Sequence, residues 1–540
     1  MLLSWTSDDV RAAERPLLDA GVPLMERASF ALAVHVGRVL RERRGRVGGS
    51  RVVVLVGPGD NGGDALHAGA VLAGRGAAVT ALLLADRVHT GGSAALRRAG
   101  GRAVRVAEVG VDAAVAQAAA ADVVLDGVLG IGGRGGPRGV AGQLVARLAA
   151  ALASGAAPAP ATAAADAPPT AASGRVPGAG PVVVAVDVPS GIGVDDGTRA
   201  GPVLDADLTV TFGAVKPGLL LPPAAHAAGR VLPVDIGLAL AGSPAAARLE
   251  AADVTALWPV PAVDAHKYTR GVVGVVAGSA AYPGAAVLAT GAAVLTGAGM
   301  VRYQGEAAAA VLAAWPEVVV GEGRVQSWVL GPGIGPDDAA QRERAAGALA
   351  AAQGDGLPVV VDAGALDLVP AHVGPHVLLT PHAGELARLL TDRGEPVDRA
   401  TVEAEPLRWA RRAHELVGAT VLLKGSTTVV VGAHAAVYAQ ADAPAWLATA
   451  GAGDVLAGVL GTVLAGRADD VTEDPSLVAA LAAAAASVHG RAARRANPDG
   501  PVHAAAVARA VPAVVADLVG AARGTVAAGP AGAAVRHWGS

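Results

Sequence analysis

A chain of 540 residues, 52% of them apolar, is long enough for two domains and too apolar to be disordered throughout. Its formal net charge of −4 and lack of a basic stripe argue against nucleic acid as the main partner. The absence of cysteine excludes disulfides, zinc–thiolate sites and cysteine nucleophiles, and suits a reducing cytoplasm.

The start meets Asp8 and Asp9 at once and carries no secretory pattern. Arg51–Val56 reads as a buried strand, Gly57–Gly63 as a loop and Asp64–Ala73 as a helix. Further strands are expected at Ala78–Leu84, Val123–Leu125, Val182–Val186 and Leu208–Phe212. Such apolar runs, alternating with alanine-rich helices, predict a parallel sheet covered on both faces. Residues 156–180 are nearly all Ala, Pro, Gly, Ser and Thr and read as a disordered surface insertion. Strand signals lapse around Gly237–Ala251, which places a linker at 241–258. Beyond it, strands are expected at Val272–Ala277, Trp328–Leu330, Val359–Val361, Val377–Leu379, Val421–Leu423 and Val429–Val431. Helices should begin near Ala285, Asp337, Gly384 and Gly453, and the tail from 523 to 540 is low in complexity. Gly271–Val301 holds no charge, yet Gly278-Ser279 and Pro283-Gly284 interrupt it, so it reads as strand, loop and helix rather than a membrane span. No membrane association is expected.

In the first half, polar groups gather at three strand ends. GPGDNGGD (Gly57–Asp64) follows a strand and opens a helix, where glycines permit positive φ or close backbone approach and free amides attract anions. It does not match G-x-G-x-x-G, which disfavours a plain dinucleotide fingerprint. Asp126 precedes GVLGIGGRGGPRG, and Asp187 opens DVPSG. Strand carboxyl ends of an open parallel sheet meet at one crevice. Asn61, Asp126, Asp187 and Ser190 are therefore expected to converge, although each Asp alone would suit a cap or turn.

Over residues 7–240 this ordered set, with RAAE, PLMERA and TVTFGAVKPGL, resembles the NAD(P)HX epimerases, the YjeF N-terminal domains. Asp60 stands where that family usually has Asn, and Ala65 where it often has Gly. The resemblance implies a Rossmann-like α/β/α domain (1–240) that epimerises hydrated nicotinamide nucleotides, NADHX and NADPHX, at C6. It makes Asn61, Asp126 and Ser190 ligands of K+. The loop Asp60, Asn61, Gly62, Gly63, Asp64 and the run Gly130, Ile131, Gly132, Gly133, Arg134, Gly135, Gly136 would hold the substrate. Asp187 would be the acid/base that moves the proton as the C–O bond opens and recloses.

In the second half, TAGAGDVLAGVL (Thr449–Leu460) sets Gly451 and Gly453 beside Asp454 at the start of an apolar helix. Free N–H groups there form an anion hole, and a carboxylate beside it can deprotonate a hydroxyl attacking phosphorus. The alternative is a helix cap with glycines for a tight turn. Four other strand ends point to the same crevice: GSAAYPGA, GPGIG, TPHAGE with His382, and LLKGSTT with Lys424.

This set, with HKYTRG, GAGMV, PEVVV and DAGAL, is similar to the ribokinase-like superfamily and, more narrowly, to the NAD(P)HX dehydratases over residues 259–522. Asp362-Ala363-Gly364 stands where the family often has DAD, and Ala452 replaces a serine. The resemblance implies that Lys424, Gly425, Ser426, Thr427, Thr428 and Gly453 bind ADP. Ala285, Gly333, His382 and Asp454 would line the hydrate site. ADP is then a co-substrate, used with Mg2+, and phosphorylation at C6 drives dehydration with release of AMP and phosphate. The rival reading is a small-molecule kinase whose first domain is a non-catalytic ligand-binding or scaffold module. A homo-oligomer is expected.

Overall fold

A computed structural model describes residues 1–133, 135–154 and 180–526. Most of the insertion expected at 156–180, Arg134 and most of the tail lie outside them. The chain divides into two compact units, Leu3–Ala245 and Met1–Leu2 with Ala246–Ser540.

The first unit is built on a seven-stranded sheet. Across it run Arg102–Arg105, Ala78–Leu83, Arg51–Val56, Val123–Gly127, Val182–Val186, Leu208–Phe212 and Arg230–Val234, every neighbouring pair parallel. The strands alternate sides as a pleat must. Val52, Val54 and Val56 pack under the helices Leu24–Arg44 and Asp60–Gly74, while Val53 and Leu55 pack under Val111–Ala119 and Gly139–Ala153. Strand order reverses between Arg51–Val56 and Val123–Gly127, so the crevice opens at their carboxyl ends.

One boundary differs from the sequence reading in a way that matters. The helix after the first strand begins at Asp60, capped by Gly59, rather than at Asp64. None of Gly57, Gly59, Gly62 or Gly63 takes a positive φ. They serve close approach instead: a Cβ on Gly57 would lie 1.9 Å from the Val128 carbonyl oxygen, and one on Gly62 would lie 2.4 Å from that of Gly57. The edge strands Arg102–Arg105 and Arg230–Val234 escaped the sequence reading because none of their residues is fully buried and they carry arginine.

The second unit has a mixed sheet of Ala246–Arg248, Val437–Gln440, Thr428–Val431, Thr420–Leu423, Val377–Leu379, Val359–Val361, Ser327–Leu330, Val272–Val276, Met300–Tyr303 and Val319–Val320. Pairing is parallel from Thr420–Leu423 to Val319–Val320 and antiparallel on either side of Thr428–Val431. The stretch expected to be a linker holds the strand Ala246–Arg248 and the helix Ala251–Leu257. Its alanines and short apolar runs carry little periodicity, and neighbouring strands decide the fold there. The helix Ala504–Val526 likewise runs past the expected start of the tail.

Gly271–Val301 folds as the strand Val272–Val276, a turn and the helix Pro283–Thr296. That helix packs closely on Ala452–Ala465, where a Cβ on Gly458 would come within 2.2 Å of the Ala289 carbonyl oxygen. Among the described residues one helix, Ala504–Val526, contains a window long and apolar enough to cross a membrane by length and composition. It packs against Leu477–Ala496 and Pro283–Thr296.

Two candidate active sites

In the first unit Asn61, Asp126 and Ser190 surround the turn 127–130. Asp126 is fully buried, and its Oδ1 accepts from the Ser190 hydroxyl at 2.6 Å and from Val128 N–H at 3.3 Å. Its Oδ2 accepts from Ser190 N–H at 2.9 Å, and the Ser190 oxygen accepts from Leu129 N–H at 2.8 Å. Burial raises the Asp126 pKa, and the Ser190 bonds oppose the rise. Asn61 lies against Gly130, where a Cβ would approach its side chain to 3.0 Å. Both polar atoms of the Asn61 amide are buried with no hydrogen-bond partner among the described residues. A native buried amide left in that state points to a partner of another kind.

Asp187 follows the next strand with φ 65°, a left-handed backbone in a non-glycine residue. Its Oδ1 accepts from the Thr211 hydroxyl and Phe212 N–H, each at 3.1 Å, and forms an ion pair with Lys216. Lys216 is 1% exposed and donates also to Thr211 Oγ1 and the Phe212 carbonyl, which holds its ammonium against Asp187. Asp64 sits one turn after Asn61, its Oδ1 buried without a partner among the described residues. Burial first, then Asp187, Asp60 and Glu14, hold its pKa well above the carboxylate range. Glu14 is raised by burial as well, with Lys216 opposing. The run after Asp126 bends back on itself. Arg11 Nη2 donates to the Ile131 carbonyl at 2.7 Å, Gly135 has φ 74°, and a Cβ on Gly136 would meet Gly201 at 2.7 Å.

In the second unit Asp454 occupies the first turn of Ala452–Ala465, whose N-cap Gly451 has φ 83°. Lys424 Nζ donates to Asp362 Oδ1 at 2.7 Å and lies 3.7 Å from Glu385. A Cβ on Gly453 would sit 3.4 Å from Lys424 Nζ and 3.8 Å from Asp362 Oδ2, so cation, carboxylate and helix start share one spot. Burial, then Asp362, push the Asp454 pKa up to about 6, against the pull of Lys424. Burial alone would lower the pKa of Lys424, but Asp362, Glu385 and Asp454 together raise it. Gly333 and Ala285 touch as closely as a missing Cβ allows, 2.5 Å from its ideal position. Gly425 and Ser426 form the exposed turn of the hairpin from Thr420–Leu423 to Thr428–Val431, with Thr427 buried.

His382 has a structural job visible in full. Its Nδ1 accepts from Gly384 and Glu385 N–H, and Glu385 accepts from His382 N–H in return, a reciprocal helix cap. Its ring is still 56% exposed. Sequence reasoning did not single out Lys216, Glu14, Thr211, Glu385 or His489. Lys216 and Glu14 lie within quoted motifs, and a lysine amid GAVKPGLLL was the available signal for a buried pair. His489, on Leu477–Ala496, hydrogen-bonds the Ala452 backbone at the start of the Asp454 helix, and burial drives its pKa to about 4.

Comparison with known proteins matches residues 273–511 to the family described as NAD(P)H-hydrate dehydratase and residues 22–218 to that described as YjeF-related protein N-terminus. A Mycobacterium tuberculosis (strain CDC 1551 / Oshkosh) protein named bifunctional NAD(P)H-hydrate repair enzyme Nnr is 46% identical over 477 residues, covering 85% of this chain and 89% of its own. An NAD(P)H-hydrate epimerase of Clavibacter sepedonicus is 43% identical over 248 residues, 45% of this chain and 94% of its own. Among solved structures, the ADP/ATP-dependent NAD(P)H-hydrate dehydratase from Bacillus subtilis, co-crystallized with ATP/Mg2+, aligns at a TM-score of 0.43 and 23% identity over 51% of this chain and 99% of its own.

Proposed function

This chain belongs to the bifunctional NAD(P)H-hydrate repair enzymes, and on that footing we propose how its two units divide the work. The first epimerises NADHX and NADPHX at C6. The second dehydrates the S epimer to NAD(P)H, with ADP as phosphoryl donor and Mg2+ on its phosphates.

In the first crevice Asp187 is the acid/base, held in place by Lys216 and Thr211. The substrate's phosphates rest on the amides of Asp60–Asp64 and the Gly130–Gly136 turn, where a helix start favours anions. Asn61, Asp126 and Ser190 offer oxygens of the type a hard cation takes, and the buried, unbonded Asn61 Oδ1 supports them as the K+ site. K+ there would offset the Asp126 charge and stiffen the turn 127–130.

In the second crevice Lys424–Thr428 and Gly453 hold ADP. Ala285, Gly333 and His382 border the hydrated ring, with His382 reaching it from its cap position. Asp454 takes the proton of the C6 hydroxyl as its oxygen attacks the β-phosphorus. AMP leaves, and phosphate then departs from C6 as a C5 proton is lost and the ring double bond re-forms. The observation that carries this assignment is the meeting of Lys424, Asp362 and Asp454 at the Gly453 helix start. A cytoplasmic homo-oligomer is part of the same reading.

The test is the product of S-NADHX with ADP and Mg2+. The proposal expects reduced nicotinamide, AMP and free phosphate in equal amounts. A stable phosphorylated hydrate would overturn it in favour of a kinase.

A further inference from the structure

We propose that Asp64 is the second proton-transfer group of the epimerase, working across the crevice from Asp187 on the other face of the hydrated ring. The inference rests on the epimerase reading and adds to it the residue that faces Asp187.

Strand order supplies the geometry. Asp64 follows Arg51–Val56 and Asp187 follows Val182–Val186, and Val123–Gly127 lies between those two strands. Neighbouring strands are about 4.8 Å apart, so the chain leaves these two strand ends roughly 10 Å apart, on either side of the central one. Asp187 is the largest charge acting on the Asp64 carboxyl, so the two groups lie within electrostatic reach of each other. Asn61 and Asp64 are three residues apart on one helix and so share a face. Between them they leave three buried polar atoms unbonded among the described residues. Asn61 lies against Gly130, so this face borders the crevice.

The surroundings of the two groups differ as an acid and a base require. Asp187 is ion-paired with Lys216 through Oδ1, and its Oδ2 has no partner among the described residues. Asp64 has burial and three other carboxyls against its ionisation: Asp60 on its own helix, Glu14 from Ser7–Asp19, and Asp187. Among the described residues that act on it, Lys216 alone favours the charged form. These surroundings favour the protonated form of Asp64, whereas the Lys216 ammonium lies directly against Asp187. Two carboxyls with opposed environments are the usual form of an acid–base pair.

Asp64 protonates the C6 hydroxyl, the C6–O bond breaks, and its electron pair leaves with water. The N1 lone pair forms the N1=C6 bond. A water on the opposite face attacks C6 while Asp187 takes its proton, and the N1=C6 pair returns to N1. C6 is inverted, Asp64 is a carboxylate and Asp187 a carboxylic acid. The reverse epimerisation starts from that state, or the two groups exchange protons with solvent.

The test follows epimer ratios by chromatography in the full chain without ADP, so dehydration is silent. In Asp64→Asn, kcat should fall by about 10²–10⁴-fold with KM within about threefold of wild type, and the loss of rate at high pH expected of wild type should be missing. Asp64→Glu should keep a measurable rate with that high-pH limb displaced, and it decides the matter if the Asn variant fails to fold. A kcat for Asp64→Asn near wild type with the limb retained overturns the proposal and leaves Asp187 as the sole acid/base. No acceleration by the wild-type chain itself would overturn the epimerase reading as well.

Discussion

Replacing Asp454 by Asn should make the second unit more stable at neutral pH while abolishing its chemistry. The native carboxyl holds its proton to about pH 6, whereas the unfolded chain releases it near the ordinary value of 3.8. Between those values the native state binds the extra proton, so this group's stabilising share is full at acid pH and lost as pH rises through about 6. At about 1.4 kcal/mol per pKa unit, ionised Asp454 costs the fold about 3 kcal/mol at pH 7. Its place in the first turn of a helix returns about 0.3–1 kcal/mol, which leaves a gain of roughly 2 kcal/mol for the amide. In a unit of this size that corresponds to about 4 °C in Tm. Tryptophan fluorescence reports it, since Trp258, Trp315, Trp328, Trp409 and Trp446 all lie in the second unit. The gain should disappear below pH 4, where both carboxyls are neutral. Dehydration should fall about 10²–10⁴-fold for want of a proton acceptor. A loss of stability at pH 7, or a gain that persists at pH 4, would refute the reasoning and make Asp454 a helix cap.

His489 titrates the other way: its pKa is about 4 in the fold against 6.5 unfolded, so its stabilising share is full above about 6.5 and lost as pH falls to 4. That loss is about 3 kcal/mol and nearly cancels the Asp454 slope in wild type; acid unfolding of Asp454→Asn should therefore steepen, and His489→Gln should flatten it again. Lys216→Met strands Asp187, and breaking such a buried pair should cost about 3–5 kcal/mol in the first unit's unfolding free energy and remove epimerisation. Gly57→Ala places a Cβ 1.9 Å from the Val128 carbonyl oxygen. Overpacking of that kind costs about 1–3 kcal/mol, and epimerisation measured from the R hydrate should drop while S-hydrate dehydration holds.

The interior strands were legible because burial on both faces writes a continuous apolar run. Arg51–Val56, Val182–Val186, Leu208–Phe212, Val359–Val361 and Val377–Leu379 stand where the sequence put them. Arg102–Arg105, at a sheet edge, and the short Ala246–Arg248 were not legible, since both are fixed by neighbours brought in from afar. The site residues follow the same logic. Asp126, Asp187, Lys424 and Asp454 end strands or open helices, where a polar residue after an apolar run stands out. Lys216, Glu14 and Glu385 act through contacts from other parts of the fold, which spacing does not encode. The glycines of GPGDNGGD were read as a loop although three of them lie at or inside a helix boundary, because close approach and positive φ leave the same mark in sequence.

The account's central claim is that one chain carries both steps. Its most direct measurement gives the chain R-NADHX alone as substrate, with ADP and Mg2+, and follows absorbance of the reduced nicotinamide in the first minutes. Wild type should restore NADH well above the spontaneous rate, Asp187→Asn should fall to that rate with R hydrate yet match wild type with S hydrate, and Asp454→Asn should restore none from either. R hydrate restored by Asp187→Asn as fast as by wild type, or no restoration by wild type from either epimer, would contradict it.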